Sequence, residues 1–130
     1  MTKAEGTFKL DFTPGDSYDD RDGIQLSRAH ISKVFDGDLT GTSETDILTV
    51  TTAQPAAYAG IERFDGALHG REGSFVLTHN AGSADGAPWM TWKIVETSGT
   101  GELVGIRGEG QIVIGPDGGH GYVLEYEIGE

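Results

Sequence analysis

Hydrophobic and polar residues alternate along most of the chain with the period of two that is typical of β-strands. In "GTFKLDF" at residues 6–12, Phe8, Leu10 and Phe12 share one face. No window repeats apolar residues at helical spacing. The pattern therefore predicts about eight strands, at approximately residues 6–12, 24–36, 39–52, 57–69, 73–80, 88–96, 102–114 and 119–128.

Paired glycines recur within this pattern. A G-x-L-x-G core is repeated at Gly37/Leu39/Gly41, Gly66/Leu68/Gly70 and Gly101/Leu103/Gly105. Two glycines four residues apart lie on the same face of a strand and let a sheet bend sharply and close on itself. The sequence therefore predicts one all-β domain over residues 1–130, a closed antiparallel barrel of about eight strands.

The predicted strand at 57–69 carries bulk, glycines and one carboxylate on the same face. This face carries Tyr58, Glu62, Phe64 and Leu68, together with Gly60, Gly66 and Gly70. The opposite face carries Arg63 and Asp65, which are poorer candidates for an interior. We therefore expect the Glu62 face to point into the barrel, with glycines where the wall bends or another side chain needs room.

Strands that run up and down place alternate connections at opposite ends of a barrel. The connections at 13–23, 53–56, 81–87 and 115–118 would share one end, and two of these are long. The short, glycine-rich connections at 36–38, 69–73 and 97–101 would share the other. Ligand-binding loops usually surround one mouth of a scaffold, so the first end is the predicted mouth.

Three side chains near this mouth are candidates for acid–base chemistry. Inside an apolar barrel, Glu62 would be drawn towards its protonated form and could carry a proton near neutral pH. His79 and His120 lie at strand ends beside the predicted mouth and could assist it. The alternative is structural: Glu62 pairs with an arginine such as Arg107, and the histidines are simply partly solvated.

Several larger side chains could line a ligand cavity, although the aromatic ones suit a packed core equally well. The candidates for ligand binding are Tyr58, Phe64, Trp89, Trp92, Arg107, Tyr122 and Tyr126. The four histidines show neither H-x-H nor H-x-x-x-H spacing, and the chain has no cysteine. Neither a metal site nor another cofactor is expected.

The net charge of the chain makes some classes of binding partner unfavourable. With 21 acidic and 9 basic residues, the formal net charge is −12. Such a surface repels phosphate backbones and anionic lipids, so neither nucleic acid nor membrane is an expected partner. The absence of cysteine, and of a signal-like apolar run in "MTKAEGTFKLDF", favours a cytoplasmic location.

The segment "YAGIERFDGALHGREGSFVLTH", followed by "SGTGELVGIRGEG", resembles a bacterial family of uncharacterised small proteins. That family is grouped with the calycin-like allene-oxide-cyclase barrels, and the resemblance covers about residues 8 to 126. It implies an eight-stranded antiparallel barrel with a central cavity, and a small homo-oligomer, because such barrels often associate. It implies no catalytic residue, because the functional residues of the plant cyclases match no position here.

The sequence thus predicts a barrel that binds a small, mostly apolar molecule. The specific hypothesis is a cofactor-independent isomerase or cyclase, in which Glu62, helped by His79 or His120, moves a proton. A non-catalytic carrier is the first alternative. A barrel filled by its own side chains, acting only through protein contacts, is the second.

Overall fold

A computed structural model describes residues 1–129 and shows the predicted closed barrel of eight antiparallel strands. Each strand pairs with the next in sequence, and β8 returns to pair with β1. The described residues contain no α-helix, only one 3-10 turn, η1, at Gly101–Leu103. The strands are β1 (Thr2–Arg21), β2 (Ile24–Gly37), β3 (Leu39–Thr51), β4 (Pro55–Leu68), β5 (Arg71–Ala84), β6 (Ala87–Ile94), β7 (Ile106–Ile114) and β8 (His120–Ile128).

No helix among the described residues has the length and apolar character that crossing a membrane requires.

The prediction of two long loops at the mouth, at 13–23 and 81–87, is wrong. Strands β1 and β5 run through these segments and turn at two-residue Asp-Gly connections, Asp22–Gly23 and Asp85–Gly86. All four of these residues have positive φ angles, between 53° and 77°. Asp-Gly at positive φ is the usual two-residue hairpin turn. The polar composition of both segments resembled loops, although their backbones stay extended.

The two ends of the barrel differ. Connections 22–23, 52–54, 85–86 and 115–119 share the predicted mouth, which we call the open end. At the opposite end, the closed end, Leu103 of η1 is fully buried. The hydroxyl of Tyr122 accepts a 2.7 Å hydrogen bond from the Leu39 amide and donates to the Asp36 carbonyl at 3.1 Å. His69 Nδ1 and the Tyr126 hydroxyl form another hydrogen bond there.

The glycine motif relieves crowding at two of its three copies. Gly41 and Gly66 are cross-strand partners on β3 and β4. A Cβ on Gly66 would lie 2.1 Å from the Thr40 carbonyl oxygen, so the two strands approach too closely for any side chain. Gly70 lies in the β4–β5 turn at φ +79° rather than on a strand. The third copy, Gly101/Leu103/Gly105, does not lie on a strand. The 3-10 turn η1 covers Gly101–Leu103, and β7 begins only at Ile106.

Candidate functional site

Glu62 points into the barrel, as its strand face predicted, and is fully buried. Its Oε1 accepts hydrogen bonds from Lys33 Nζ and Trp92 Nε1, both at 3.0 Å. Its Oε2 accepts a 2.6 Å hydrogen bond from Ser43 Oγ. Both oxygens are therefore engaged with residues of three other strands, and the carboxylate links β2, β3 and β6 to β4.

The buried cation beside Glu62 is Lys33. The structural alternative, an ion pair with an arginine such as Arg107, is therefore wrong in its partner. Lys33 lies on the inner face of β2, two residues from Phe35, and is 2% exposed. Its ammonium lies 5.0 Å from the centre of the Phe8 ring and 5.5 Å from that of Trp92. Aromatic faces at this distance attract a cation. The Lys33 ammonium is therefore stabilised by the two rings as well as by the Glu62 carboxylate.

Arg107 lies on the outer wall instead. Its guanidinium contacts Glu127 at 2.6 Å and is more than half exposed. It borders a surface groove of about 450 Å³ between charged side chains of β6, β7 and β8. It therefore does not join the interior group.

His79 is the histidine that approaches Glu62. Its Nδ1 lies 3.9 Å from Glu62 Oε1, and its Nε2 lies 3.0 Å from the Tyr58 hydroxyl. Burial, assisted by the positive charge of Lys33, lowers the pKa of His79 to about 4, and the charge of Glu62 opposes this only partly. The imidazole is therefore neutral at physiological pH. Burial, followed by the charge of Glu62, raises the pKa of Tyr58.

The other predicted residues are distributed over four regions. His120 packs against Phe8 on the inner face near the open end, with ring centroids 5.3 Å apart, and is not among the contacts described for Glu62. Trp92 belongs to the Glu62 group, whereas Trp89 is on the outer face of β6 opposite Gly82. The remaining three belong to the buried core: Phe64, Tyr122 and Tyr126.

Above the Glu62 group, towards the open end, inward-facing apolar side chains remain in contact with solvent. Phe12 is 54% exposed and Ile114 is 60% exposed, although both lie in phase with inner-facing residues. The reason is geometric: β8 pairs with β1 only as far as Phe8, so the rest of the β1–β2 hairpin projects beyond β8. We call this surface the open-end cup; it is formed by Leu10, Phe12, Ile31, Ile112, Ile114 and His120.

Sequence reasoning missed the cup and Lys33. The alternation in "FKLDF" and "HISKVF" did contain a signal, because Leu10, Phe12, Ile31 and Lys33 are in phase with buried phenylalanines. Their exposure depends on the register of β1 with β8, which pairs only as far as Phe8, and the local pattern does not contain this register.

An apolar groove lies on the outside of the barrel. A groove of about 490 Å³ is lined by residues that include Tyr18, Leu48, Val50, Ala59 and Trp89. Leu48, Ala59 and Trp89 alternate with inner-facing residues along β3, β4 and β6, so this groove lies on the outer wall. It is separate from the open-end cup.

Among residues 1–129, no three His, Cys, Asp or Glu side chains are grouped so that they could hold a metal ion. Acceptors and donors for an organic ligand are present in Tyr58, His79 and the Lys33–Glu62 pair.

The comparisons with known proteins agree on one family. No curated protein is similar enough to this chain to count as a match. The crystal structure of a protein of unknown function from the DUF3224 family of Shewanella oneidensis MR-1 is similar, with a TM-score of 0.91 and 34% sequence identity, over 100% of this chain and 99% of that one. The profile of the family described as "Protein of unknown function (DUF3224)" matches residues 4–126. The grouping with allene-oxide-cyclase barrels stays a prediction. The chain belongs to the DUF3224 family.

Proposed function

We propose that this protein binds a small, mostly apolar molecule in the open-end cup. The observation that carries the proposal is the solvent exposure of large apolar side chains on the concave side of the barrel, Phe12 at 54% and Ile114 at 60%. Soluble proteins usually keep such surface small, and an exposed apolar concavity often marks a binding site. An eight-stranded barrel is wide enough to hold one small ligand.

The barrel is divided into a filled half and an open half, which favours binding over the filled-barrel alternative. Phe64, Phe75 and Leu103 are almost completely buried towards the closed end. Towards the open end from the Lys33–Glu62 pair, Thr45, Ile47 and His79 are also buried, whereas Phe12 and Ile114 of the cup stay exposed. A ligand can therefore contact the cup without unpacking the core.

The test is a fluorescence titration with N-phenyl-1-naphthylamine, an uncharged apolar probe. Complete burial of a Phe or Ile side chain contributes roughly 1.5–3 kcal/mol. Phe12 and Ile114 are about half exposed, so covering each contributes on the order of 1 kcal/mol. We expect Phe12→Ser and Ile114→Ser each to raise Kd about fivefold, and the double variant about 25-fold.

The matched control is Leu48→Ser, which removes a half-exposed apolar side chain from the outer groove. It should leave Kd unchanged. If Leu48→Ser weakens binding and the two cup variants do not, the ligand site is the outer groove. If the wild-type protein takes up neither this probe nor other apolar molecules, the proposal is wrong.

Cofactor-independent isomerisation or cyclisation of the bound molecule is the second candidate function. The observation that favours it is the neutral, buried His79, whose Nδ1 has no hydrogen-bond partner among the described residues. Glu62 is the poorer proton carrier, because both of its oxygens already accept hydrogen bonds. His79 therefore replaces Glu62 as the candidate acid–base group.

Deuterium exchange tests this second candidate. Native mass spectrometry of protein isolated gently from its host would identify a bound molecule, which is then incubated with the protein in D₂O. Proton abstraction replaces C–H by C–D and raises the ligand mass, and His79→Gln should abolish this exchange while binding persists. Exchange that survives in His79→Gln excludes His79 as the proton carrier.

A cytoplasmic location and a small homo-oligomer stay predictions, as does the expectation that neither nucleic acid nor membrane is a partner. Sedimentation velocity tests the oligomer directly. A single species at the monomer mass of 13.8 kDa would contradict it.

A further inference from the structure

We infer that the ligand carries an uncharged carbonyl oxygen, as in a ketone, ester or amide, and that His79 Nδ1 and Thr45 Oγ1 donate hydrogen bonds to it. This inference rests on the proposed function, because it assigns the polar end of the molecule that the cup would bind. It begins from two orphaned atoms. Within residues 1–129, Thr45 Oγ1 and His79 Nδ1 are the buried side-chain polar atoms that have no hydrogen-bond partner.

Such atoms are rare, because a buried polar group without a partner is costly. Both residues are almost completely buried, Thr45 at 0% and His79 at 2% exposure. A ligand atom or a buried water would satisfy them.

The two orphaned atoms lie on either side of Glu62 and Gly60. Thr45 on β3 is the cross-strand partner of Glu62, and His79 on β5 is the partner of Gly60. Gly60 faces inward but contributes no side chain, and a Cβ placed there would lie 2.5 Å from Ile47 Cγ2 and 3.4 Å from Thr45 Cγ2. The Ile47 side chain therefore occupies the place that β4 leaves open beside Thr45.

We assign the proton of His79 to Nδ1 from the carboxylate that faces this nitrogen. Nδ1 faces the Glu62 carboxylate at 3.9 Å, too far for a hydrogen bond but close enough to favour N–H over a lone pair at that position. Nε2 is then the acceptor for the Tyr58 hydroxyl at 3.0 Å. In this tautomer neither nitrogen has a free lone pair, so His79 is a hydrogen-bond donor to the ligand, which excludes the proton abstraction of the second candidate function. The orphaned groups are consequently an N–H and a hydroxyl, and an acceptor oxygen satisfies both.

The same surroundings favour an uncharged oxygen. Lys33 and Glu62 already neutralise one another at 3.0 Å, so the site offers no free counterion. A ligand carboxylate would face Glu62 inside a protein of net charge −12. Burying a second, unpaired anion there is strongly unfavourable.

Tyr58 lies on the route to these donors. β4 begins at the open end, so Tyr58 is nearer to solvent than Gly60 and Glu62, and its half-buried ring meets the His79 ring edge-on at 5.1 Å. In this inference, a ligand that enters through the cup would reach His79 by displacing this ring, with its apolar part left against Phe12 and Ile31.

Three probes of similar length separate the possibilities: 2-undecanone, undecane and decanoate, each measured by displacement of N-phenyl-1-naphthylamine. Satisfying a buried donor contributes enough that the ketone should bind about tenfold more tightly than the alkane. Decanoate should bind more weakly than the ketone. Thr45→Val, which has the same shape, should weaken ketone binding about fivefold and leave undecane unchanged.

The matched control is Thr42→Val, on the exposed outer face of the same strand, which should change neither affinity. Infrared spectroscopy adds a readout that a structural role would not affect. The carbonyl stretch of bound 2-undecanone should shift to lower frequency, and Thr45→Val should reverse part of this shift.

Each contrary outcome is distinct. Equal affinity for ketone and alkane, with no infrared shift, overturns the inference while leaving the proposed function intact, and means that water satisfies the two atoms. Tightest binding of decanoate also overturns it and points to Lys33 as the contact. Failure of all three probes to bind overturns the proposed function itself.

Discussion

Replacing Glu62 by glutamine tests whether this residue holds the barrel together. Glu62→Gln keeps the shape of the side chain and allows hydrogen bonds to Ser43 and Trp92, but it removes the negative charge. Lys33, which is 2% exposed, then retains a buried charge without a counterion. Removing one partner of a buried ion pair costs about 3–5 kcal/mol, so we predict a loss of this size in the free energy of unfolding.

The predicted loss corresponds to a large change in melting temperature. About 2.1 cal/mol/K per residue over 130 residues gives an unfolding entropy of about 0.27 kcal/mol/K. A loss of about 3–5 kcal/mol therefore lowers Tm by roughly 11–18 °C. Against a usual total stability of about 5–15 kcal/mol, this is a severe effect.

The assay is urea unfolding at pH 7, followed by circular dichroism, with the double variant Lys33→Met/Glu62→Gln alongside. Methionine removes the unpaired charge and keeps the volume. The double variant should therefore be more stable than Glu62→Gln alone by at least about 2 kcal/mol. Glu44→Gln, the same change on the exposed outer face of β3, is the control and should change the midpoint little.

Two results would refute this reasoning. One is a Glu62→Gln variant whose unfolding free energy lies within about 1 kcal/mol of the wild type. The other is a double variant that is no more stable than Glu62→Gln alone, because the stranded charge of Lys33 would then not be the cause.

Three further predictions concern stability. The pKa of His79 is lowered from 6.5 to about 4 on folding, so between these values the unfolded chain binds a proton that the native state does not. Wild-type stability should therefore fall by roughly 3 kcal/mol as the pH drops from 6.5 to 4, and His79→Gln should lack this component in urea titrations across that range. Gly66→Ala should lower the free energy of unfolding by more than about 2 kcal/mol, because its methyl group would clash with the neighbouring strand. Gly118→Ala, which has open space and only an unfavourable φ, should lower it by about 1 kcal/mol. Similar losses in the two variants would contradict the close approach of β3 and β4. Tyr122→Phe should cost about 1–3 kcal/mol, because the buried Leu39 amide loses its acceptor, and an unchanged thermal midpoint would show that water replaces the hydroxyl.

Local information was sufficient for the direction of side chains along each strand. Successive residues in a strand point to opposite faces, so the inward position of Glu62 followed from Tyr58 and Phe64 in the same strand. The same rule shows why Trp89 and Trp92 were wrongly grouped. They are three residues apart, so one faces out when the other faces in.

The partners of these side chains depend on information that is not local. Lys33 on β2 reaches Glu62 on β4 across Ser43 of β3, and this meeting is set by the register of two strand pairs. In a barrel, the tilt of the strands also shifts the height of each residue around the wall. Arg107 has a positive charge but lies on the outer face of β7. Lys33 has a positive charge and lies on the inner face of β2.

Strand lengths were the other limit. β1 continues to Arg21 through an acidic, glycine-containing segment, because hairpin pairing with β2 satisfies its backbone regardless of side-chain polarity. The cup has a separate origin: Leu10 and Phe12 lie in the strand predicted at 6–12, and they are exposed because β8 pairs with β1 only as far as Phe8.

The most direct test of binding in the open-end cup is a ¹H–¹³C NMR titration of the labelled protein with 2-undecanone. We predict that the largest shift changes occur at side chains of the cup, Phe12, Ile31, Ile114 and His120, with little change at Leu48 and Trp89 of the outer groove. Changes confined to Leu48 and Trp89, or no saturable change at any side chain, would contradict binding in the cup.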